Sequence, residues 1–219
     1  MTLLNLLEQL GRLPAEAWLV PPVVILGTMA VIGLLLHRAR LRRFHAIARR
    51  AGLSVKATIV NASEVGGTFR GRQLVMVLAS PQHDTFRKRW TRVTVEVKNP
   101  ESVSLHLWRQ DFLDNLIIAA GGTELQVGDA AFDRRFVVRS DEPALAMQLF
   151  QNRELRDAIL RAGIDRVDLS TSRLYAFYPR EERDPEHAVL LFTAVAHLAD
   201  GIDALKGDRR PEIIRTDRR

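Results

Sequence analysis

The sequence contains no cysteine, which excludes disulfide bonds and thiolate metal sites and suits a reducing compartment. It also lacks three motifs of common enzymes: the Gly-x-x-x-x-Gly-Lys loop, the Gly-x-Gly-x-x-Gly turn and the Gly-x-Ser-x-Gly elbow. We therefore predict no catalytic residue and no cofactor site, and an enzyme is the less favoured of two function classes.

Metal-ligand spacing is absent as well. The chain has six histidines but no His-Glu-x-x-His motif. His187 and His197 lie ten positions apart, or about 15 Å along a helix, which is too far for one ion. We predict no metal site. The carboxylates are expected to have structural roles, Asp129 in a turn and Asp141 as a helix cap. The alternative is a hydrolase-like enzyme whose pocket would gather residues from the set His83, His106, Asp111, Asp114 and Asp129.

The sequence has little excess charge where a fold is expected. The net charge of +6 comes mostly from the two ends: residues 1–50 hold seven arginines and two glutamates, and residues 206–219 hold six basic and three acidic residues. Residues 51–205 hold 19 basic and 21 acidic side chains. A nucleic-acid groove needs basic side chains on the fold itself, so we predict no nucleic-acid partner.

One long apolar run is present. Residues 17–36 contain no charged side chain, and eleven of them are Leu, Ile or Val. A helix of this length covers roughly 30 Å, the thickness of a bilayer's hydrocarbon core. Pro21 and Pro22 suit a first helical turn, and arginine stands where a signal peptide would have its small-residue cleavage site. The run predicts a transmembrane helix over 17–37.

Arginines after this run set the predicted orientation. The positive-inside bias places residues 38–219 in the cytoplasm and the short N-terminus outside the inner membrane. Leu41, Phe44, Ile47 and Ala48 recur at helical spacing among the arginines, which is consistent with an amphipathic extension on the lipid surface. The residues predicted to contact lipid, including anionic headgroups, are Trp18, Arg38, Arg40, Arg42, Arg43, Arg49 and Arg50.

The remaining sequence predicts an antiparallel sheet. Strands are expected at 55–62, 72–80, 90–100, 102–108 and 133–140, with a last hairpin within 165–178. The segment 63–71, Ser-Glu-Val-Gly-Gly-Thr-Phe-Arg-Gly, is expected to be a hairpin loop, and 102–108 is expected to pair with 90–100. In 90–100, Val93, Val95 and Val97 share one face.

Two helices should cover this sheet. The first spans about 141–163, where Asn152 is a candidate interruption, and the second spans 184–207 with Pro185 at its first position. The second helix has an apolar stripe that should pack on the sheet: Ala188, Leu191, Phe192, Val195, Leu198, Ala199, Ile202 and Leu205. The fold class is α+β, with about six or seven strands and two packing helices. The predicted organisation is an outer N-terminus at 1–16, a span at 17–37, a basic segment at 38–52, a cytoplasmic domain at 53–205 and a basic tail at 206–219.

The pattern Gly-Asp-x-x-Phe-Asp-x-x-Phe-x-Val-x-Ser-Asp at 128–141 leads from a strand into an alanine- and leucine-containing helix. It resembles a pattern in uncharacterised bacterial membrane-anchored proteins, over roughly residues 120–205. The resemblance implies an N-terminal hydrophobic anchor and brings no activity with it. Phe132 and Phe136 match its two phenylalanines and are expected in the core.

A basic and aromatic segment within the domain is a candidate interaction loop: Phe86, Arg87, Lys88, Arg89 and Trp90. Arginine and lysine supply charge for lipid headgroups or an acidic partner, and the aromatic residues enter an interface. The preferred hypothesis is a single-pass inner-membrane protein whose non-enzymatic cytoplasmic domain binds a protein partner or acts as a scaffold at the membrane. The sequence predicts neither that partner nor an oligomeric state.

Overall fold

The computed structural model describes residues 20–56, 64–79, 90–110 and 124–206. Its fold is α+β, as predicted: an apolar N-terminal helix precedes an antiparallel sheet of eight strands and further helices. The chain divides into two compact units, Met1–Arg42 and Arg43–Arg219, which are treated separately below.

The elements are defined as follows. The helices are α1 (Val20–Ala51), α2 (Ala130–Asp133), α3 (Pro143–Gln151), α4 (Arg153–Arg161) and α5 (Pro185–Asp203). The strands are β1 (Ser54–Lys56), β2 (Glu64–Phe69), β3 (Arg72–Ala79), β4 (Trp90–Glu96), β5 (Leu105–Arg109), β6 (Phe136–Ser140), β7 (Arg166–Leu169) and β8 (Arg173–Tyr178).

Helix α1 is the only described helix that is long and apolar enough to cross a membrane, and it lies near the N-terminus. Its large apolar side chains from residue 24 to residue 36 are all exposed within the protein. The hydroxyl of Thr28 donates to the carbonyl oxygen of Val24 at 2.8 Å, so this polar group is satisfied inside the helix.

The sheet order is β1-β2-β3-β4-β8-β7-β5-β6, with every pair antiparallel. The prediction that 102–108 pairs with 90–100 is wrong, because β4 pairs with β3 and β8 while β5 pairs with β6 and β7. Asn99 redirects the chain. It is buried at φ 42°, and its side chain bonds both the N–H and the carbonyl of Val103.

The predicted loop at 63–71 is largely strand β2. Gly66 and Gly67 lie inside this strand, and the reversal occurs at Arg70 and Gly71, between the paired residues Phe69 and Arg72. Both turn residues have positive φ, which is the requirement of the two-residue hairpin turn that suits twisted strands. With this strand, the described residues form a sheet of eight strands, against the six or seven predicted. Residues 57–62 of the predicted first strand lie outside the described residues.

The core lies between the sheet and the helices. Val93, Val95 and Val97 face it, as the alternation predicted. The predicted stripe of the last helix is also confirmed, because its members are all buried: Ala188, Leu191, Phe192, Val195, Leu198, Ala199, Ile202 and Leu205. Burial on this scale is the main source of stability, since each fully buried large apolar side chain contributes roughly 1.5–3 kcal/mol.

Residues 141–163 form two helices instead of one. Asn152 ends α3 in an extended conformation, and its side chain accepts the N–H of Leu155 at 3.3 Å, which caps α4. Asp141 is not a helix cap, contrary to the prediction. Its carboxylate accepts the N–H of Ser104 at 2.7 Å and so fastens the end of β6 to the residue before β5.

The strand-to-helix pattern of 128–141 has a structural explanation. Asp129 accepts the N–H groups of Ala131 and Phe132 and caps the short helix α2, so the predicted strand starts at residue 136 and not at 133. Phe132 and Phe136 are buried as expected, with ring centroids 5.0 Å apart. The phenylalanines of the pattern therefore enter the core, while its aspartates accept backbone N–H groups at the surface.

Candidate functional site

The C-terminal part of α1 is embedded in the folded domain. Phe44, Ile47 and Ala48 are buried members of the core, so the prediction that they lie on lipid is wrong. Their helical spacing predicts an apolar face correctly, but this face packs in the core of the domain and not on lipid. The basic residues between them stay at the surface.

Two arginines of this segment have carboxylate partners in the domain. Arg43 lies 4.0 Å from Glu181, and the Nε of Arg50 lies 2.6 Å from Glu186. The hydrogen bond from Arg50 to Glu186 and the attraction between their charges raise the pKa of Arg50. Both acidic residues lie at or beside the start of α5, so the loop between β8 and α5 meets the end of α1.

Glu182 organises this loop from a buried position. It is 5% exposed, and its carboxylate accepts the N–H groups of Arg183 and Asp184, each at 2.8 Å, and contacts Nδ1 of His187. Its own N–H donates to the hydroxyl of Thr91 at 2.8 Å. A buried charge requires such partners, and here they order the loop.

Tyr178 borders the same loop. Its ring centroid lies 4.8 Å from that of His187. Burial, and then the negative charge of Glu182, raise the pKa of the Tyr178 phenol. The loop, the last residue of β8 and the start of α5 thus lie together beside the C-terminal end of α1 and make ion pairs, hydrogen bonds and a ring contact there.

The residues predicted to contact lipid have different surroundings. Arg38 and Arg42 are exposed in the first unit, and Arg49 is exposed in the second. Arg40 is half-buried. Arg43 and Arg50 have the carboxylate neighbours described above, and Trp18 lies outside the described residues. Lipid contact stays a prediction for all of them.

Only Trp90 of the candidate interaction loop is described. It begins β4, is half-buried and packs edge-on against Phe177, with centroids 6.4 Å apart. Phe86, Arg87, Lys88 and Arg89 lie outside the described residues, so the role of the loop stays a prediction.

The residues of the enzyme alternative have separate partners where they are described. Asp129 caps α2 and bonds Arg156 at 3.0 Å, and these hydrogen bonds, that from the Phe132 N–H first, lower its pKa. His106 lies 3.0 Å from Asp168. His83, Asp111 and Asp114 lie outside the description. Across 20–56, 64–79, 90–110 and 124–206, no group of three or more His, Asp or Glu could hold a metal ion.

Sequence reasoning missed the second face of the sheet. Strand register places His106, Asp168 and Tyr175 in one row across β5, β7 and β8, and Trp108, Arg166, Phe177 and Arg92 in the next row. These side chains alternate with the core residues, so they point away from the helices. We call this surface the open face. The sequence signal for this face is the alternation of arginine and aromatic residues in β4 and β8.

Comparisons with known proteins give the fold a precedent. No protein-family model and no curated protein matches the chain. A solved structure does: the crystal structure of the mycobacterial trehalose monomycolate transport factor A, TtfA, with 14% sequence identity and a TM-score of 0.52. The match covers 75% of this chain and 95% of that one. At this identity the likeness shows the shared fold alone.

Proposed function

We propose that this chain is a single-pass inner-membrane protein that presents a non-enzymatic cytoplasmic domain to a protein partner. The observation that carries the proposal is the composition of α1: exposed apolar side chains over residues 24–36, followed by Phe44, Ile47 and Ala48 in the domain core. An exposed apolar surface of this size needs lipid or protein to cover it.

The orientation rests on the arginines that follow the span. Six arginines lie within residues 38–50, and one precedes the span. Because arginine-rich flanks stay on the cytoplasmic side, the domain is placed in the cytoplasm and the N-terminus outside. Arg38, Arg42 and Arg49 are exposed and are the best placed for anionic headgroups, each contributing about 1 kcal/mol near an anionic surface.

A binding role is supported by the kinds of contact that the domain makes. Its described histidines and carboxylates serve as caps, ion pairs and loop fasteners, as at Asp129 and Glu182. The mycobacterial protein of similar fold is a transport factor, which is consistent with a binding role for this domain. The segment 86–90 remains one candidate contact for such a partner.

Membrane insertion and orientation can be tested together. A reporter that is active only in the cytoplasm and one that is active only outside it are each fused to the C-terminus. We expect activity from the cytoplasmic reporter alone, with the fusion released from membranes by detergent but not by salt. The matched control deletes residues 17–37 and should be found in the soluble fraction. Activity of the outside reporter would contradict the proposed orientation.

A further inference from the structure

The open face carries an array of stacked arginines. Arg139 lies over Trp108 at 5.4 Å, Arg166 over Phe177 at 5.5 Å, and Arg92 over Tyr175 at 5.9 Å, each distance joining the guanidinium carbon to the ring centroid. The strands that bear these arginines, β6, β7 and β4, are each separated from the next by one strand. The backbone positions of neighbouring arginines are therefore about 10 Å apart. The side chains of Arg92 and Arg166 both reach rings on β8, Tyr175 and Phe177, whereas that of Arg139 reaches Trp108 on β5.

The ring contacts of these arginines leave their hydrogen-bond donors for other partners. A guanidinium within about 6 Å of a ring centroid makes a cation–π contact, and this contact uses none of its N–H donors. The rings are half-buried, whereas the side chain of Arg166 is 56% exposed and that of His106 is 49% exposed. The accessible chemistry of the face is therefore a set of oriented hydrogen-bond donors with positive charge.

In strands β4 to β8 the open face carries two carboxylates, Asp168 and Glu96, against the arginines at 92, 139, 166 and 173, so its positive charge is not balanced. Asp168 is shared, because its Oδ2 lies 2.8 Å from Nε of Arg166 and its Oδ1 lies 3.0 Å from Nδ1 of His106. In the part of the chain that the structure describes, Nε of Arg92 is shielded from solvent and has no hydrogen-bond partner. An unpaired donor of this kind is costly, and pairing it requires the Arg92 side chain to turn toward an acceptor such as a ligand carboxylate.

We propose that the open face binds an acidic segment of a protein partner, whose carboxylates pair with Arg92, Arg139 and Arg166. This inference rests on the proposed function and names the surface and chemistry of its partner site. Arginine pairs with a carboxylate through two parallel hydrogen bonds. Strand β7 separates β8 from β5, so the guanidinium groups over β8 and the one over β5 are about two strand spacings, or roughly 10 Å, apart. That distance is too large for one carboxylate and fits several carboxylates on one peptide segment.

Nucleic acid fits this surface less well than an acidic protein. Single-stranded nucleic acid binds by stacking its bases on free aromatic faces, and here the rings of Trp108, Tyr175 and Phe177 carry guanidinium groups. The region 51–205 also has slightly more acidic than basic side chains, which disfavours a phosphate-tracking groove. Lipid and nucleic acid are therefore outcomes of the test that contradict the proposal.

Photocrosslinking of the full-length, membrane-inserted chain tests the surface. A photoreactive residue replaces His106 on the open face, and in a matched chain it replaces Gln148, which is exposed on α3 over the opposite side of the sheet. We expect a protein adduct at position 106 that maps by mass spectrometry to a segment rich in Asp and Glu. Arg92→Gln, Arg139→Gln and Arg166→Gln together should reduce the adduct at least tenfold, whereas Arg153→Gln on α4 should leave it unchanged.

Several outcomes would overturn the proposal. An adduct from position 148 alone contradicts this surface but leaves the proposed binding function intact, and the absence of adducts at both positions contradicts both. Lipid or nucleic acid in the adduct, or a partner segment that is not acidic, also overturns the inference. If circular dichroism shows that the glutamine triple variant is unfolded, the three arginines are replaced by lysine. We then expect a several-fold loss of adduct, because lysine keeps the charge without the paired donors; unchanged crosslinking contradicts the proposal.

Discussion

Two segments of α1 differ in where their apolar side chains lie. From residue 24 to residue 36 the large apolar side chains are exposed, with Ile25 at 57% and Leu36 at 64%. From residue 43 to residue 51 the apolar side chains are sparse, yet Phe44, Ile47 and Ala48 are almost fully buried. The difference teaches that the density of apolar residues around a helix decides whether lipid or protein covers it.

The largest expected effect is on the stability of the domain, to which the two segments should contribute differently. Phe44→Ala should lower the free energy of unfolding of the domain by about 3–5 kcal/mol, because it removes a buried ring and leaves a cavity. Leu35→Ala is the matched change in the exposed segment and should leave that free energy nearly unchanged. Denaturant unfolding of both variants in detergent, followed by tryptophan fluorescence, measures the difference. Equal losses would show that the two segments have the same environment.

Adding an arginine to each segment tests whether the two segments differ in their contribution to membrane insertion. Ile32→Arg replaces a favourable side chain with one that costs about 2.5–3.5 kcal/mol at the centre of a span, so insertion should weaken by about 3–4 kcal/mol. His45→Arg adds a charge to an exposed position of the second segment and should leave insertion unchanged. The membrane-bound fraction of each variant is the measurement. Full insertion of Ile32→Arg would contradict a transmembrane role for the first segment.

The loop that meets the second segment gives a smaller effect. Glu182→Ala removes the acceptor of two backbone N–H groups and the partner of His187, so the free energy of unfolding should fall by about 1–3 kcal/mol. Glu186→Ala breaks only an exposed ion pair with Arg50 and should have little effect. The two unfolding curves are compared at neutral pH. A larger loss from Glu186→Ala would mean that the surface pair holds α1.

The fold class, the apolar helix and the stripe of α5 could be predicted because each depends on a local hydrophobic period. The partners of β4 could not, because β8 is distant in sequence and only the conformation of Asn99 reveals that the chain turns away from β4. Strand β2 was missed because its glycines are typical of loops. In this fold, Gly67 adopts φ 147° and lets Leu53 approach closely.

The candidate sites show a different limit of sequence reasoning. The arginines of 38–50 were found as a run, but the run does not reveal that Phe44 and Ile47 enter the core or that Arg50 pairs with Glu186, which is 136 residues away. The open face was missed because its members are spread over five strands. Each strand alone contains a single arginine, and β7 has no aromatic residue beside it, so strand order is what joins these side chains.

The smallest expected effect is a shift in the pKa of Tyr178 beside the loop that receives α1. The chain has two tyrosines, so a Tyr175→Phe background leaves Tyr178 as the single phenol. Its pKa should exceed the ordinary 10.0 because of burial and of the charge of Glu182. In Glu182→Gln the charge is lost, so the pKa should fall, because burial then raises it alone while Arg180 lowers it. Tyrosinate absorbance against pH measures both values.

The same shift predicts how stability depends on alkaline pH. A phenol whose pKa is raised in the folded state stabilises the fold fully below the unfolded pKa of about 10, and this contribution is lost as the pH rises through the folded pKa. The domain with Tyr178 should therefore lose more stability above pH 10 than Tyr178→Phe, and Glu182→Gln should reduce the difference. An identical pKa with and without the Glu182 charge would show that this carboxylate does not act on the Tyr178 phenol. The electrostatic influence of the loop would then not include the last residue of β8.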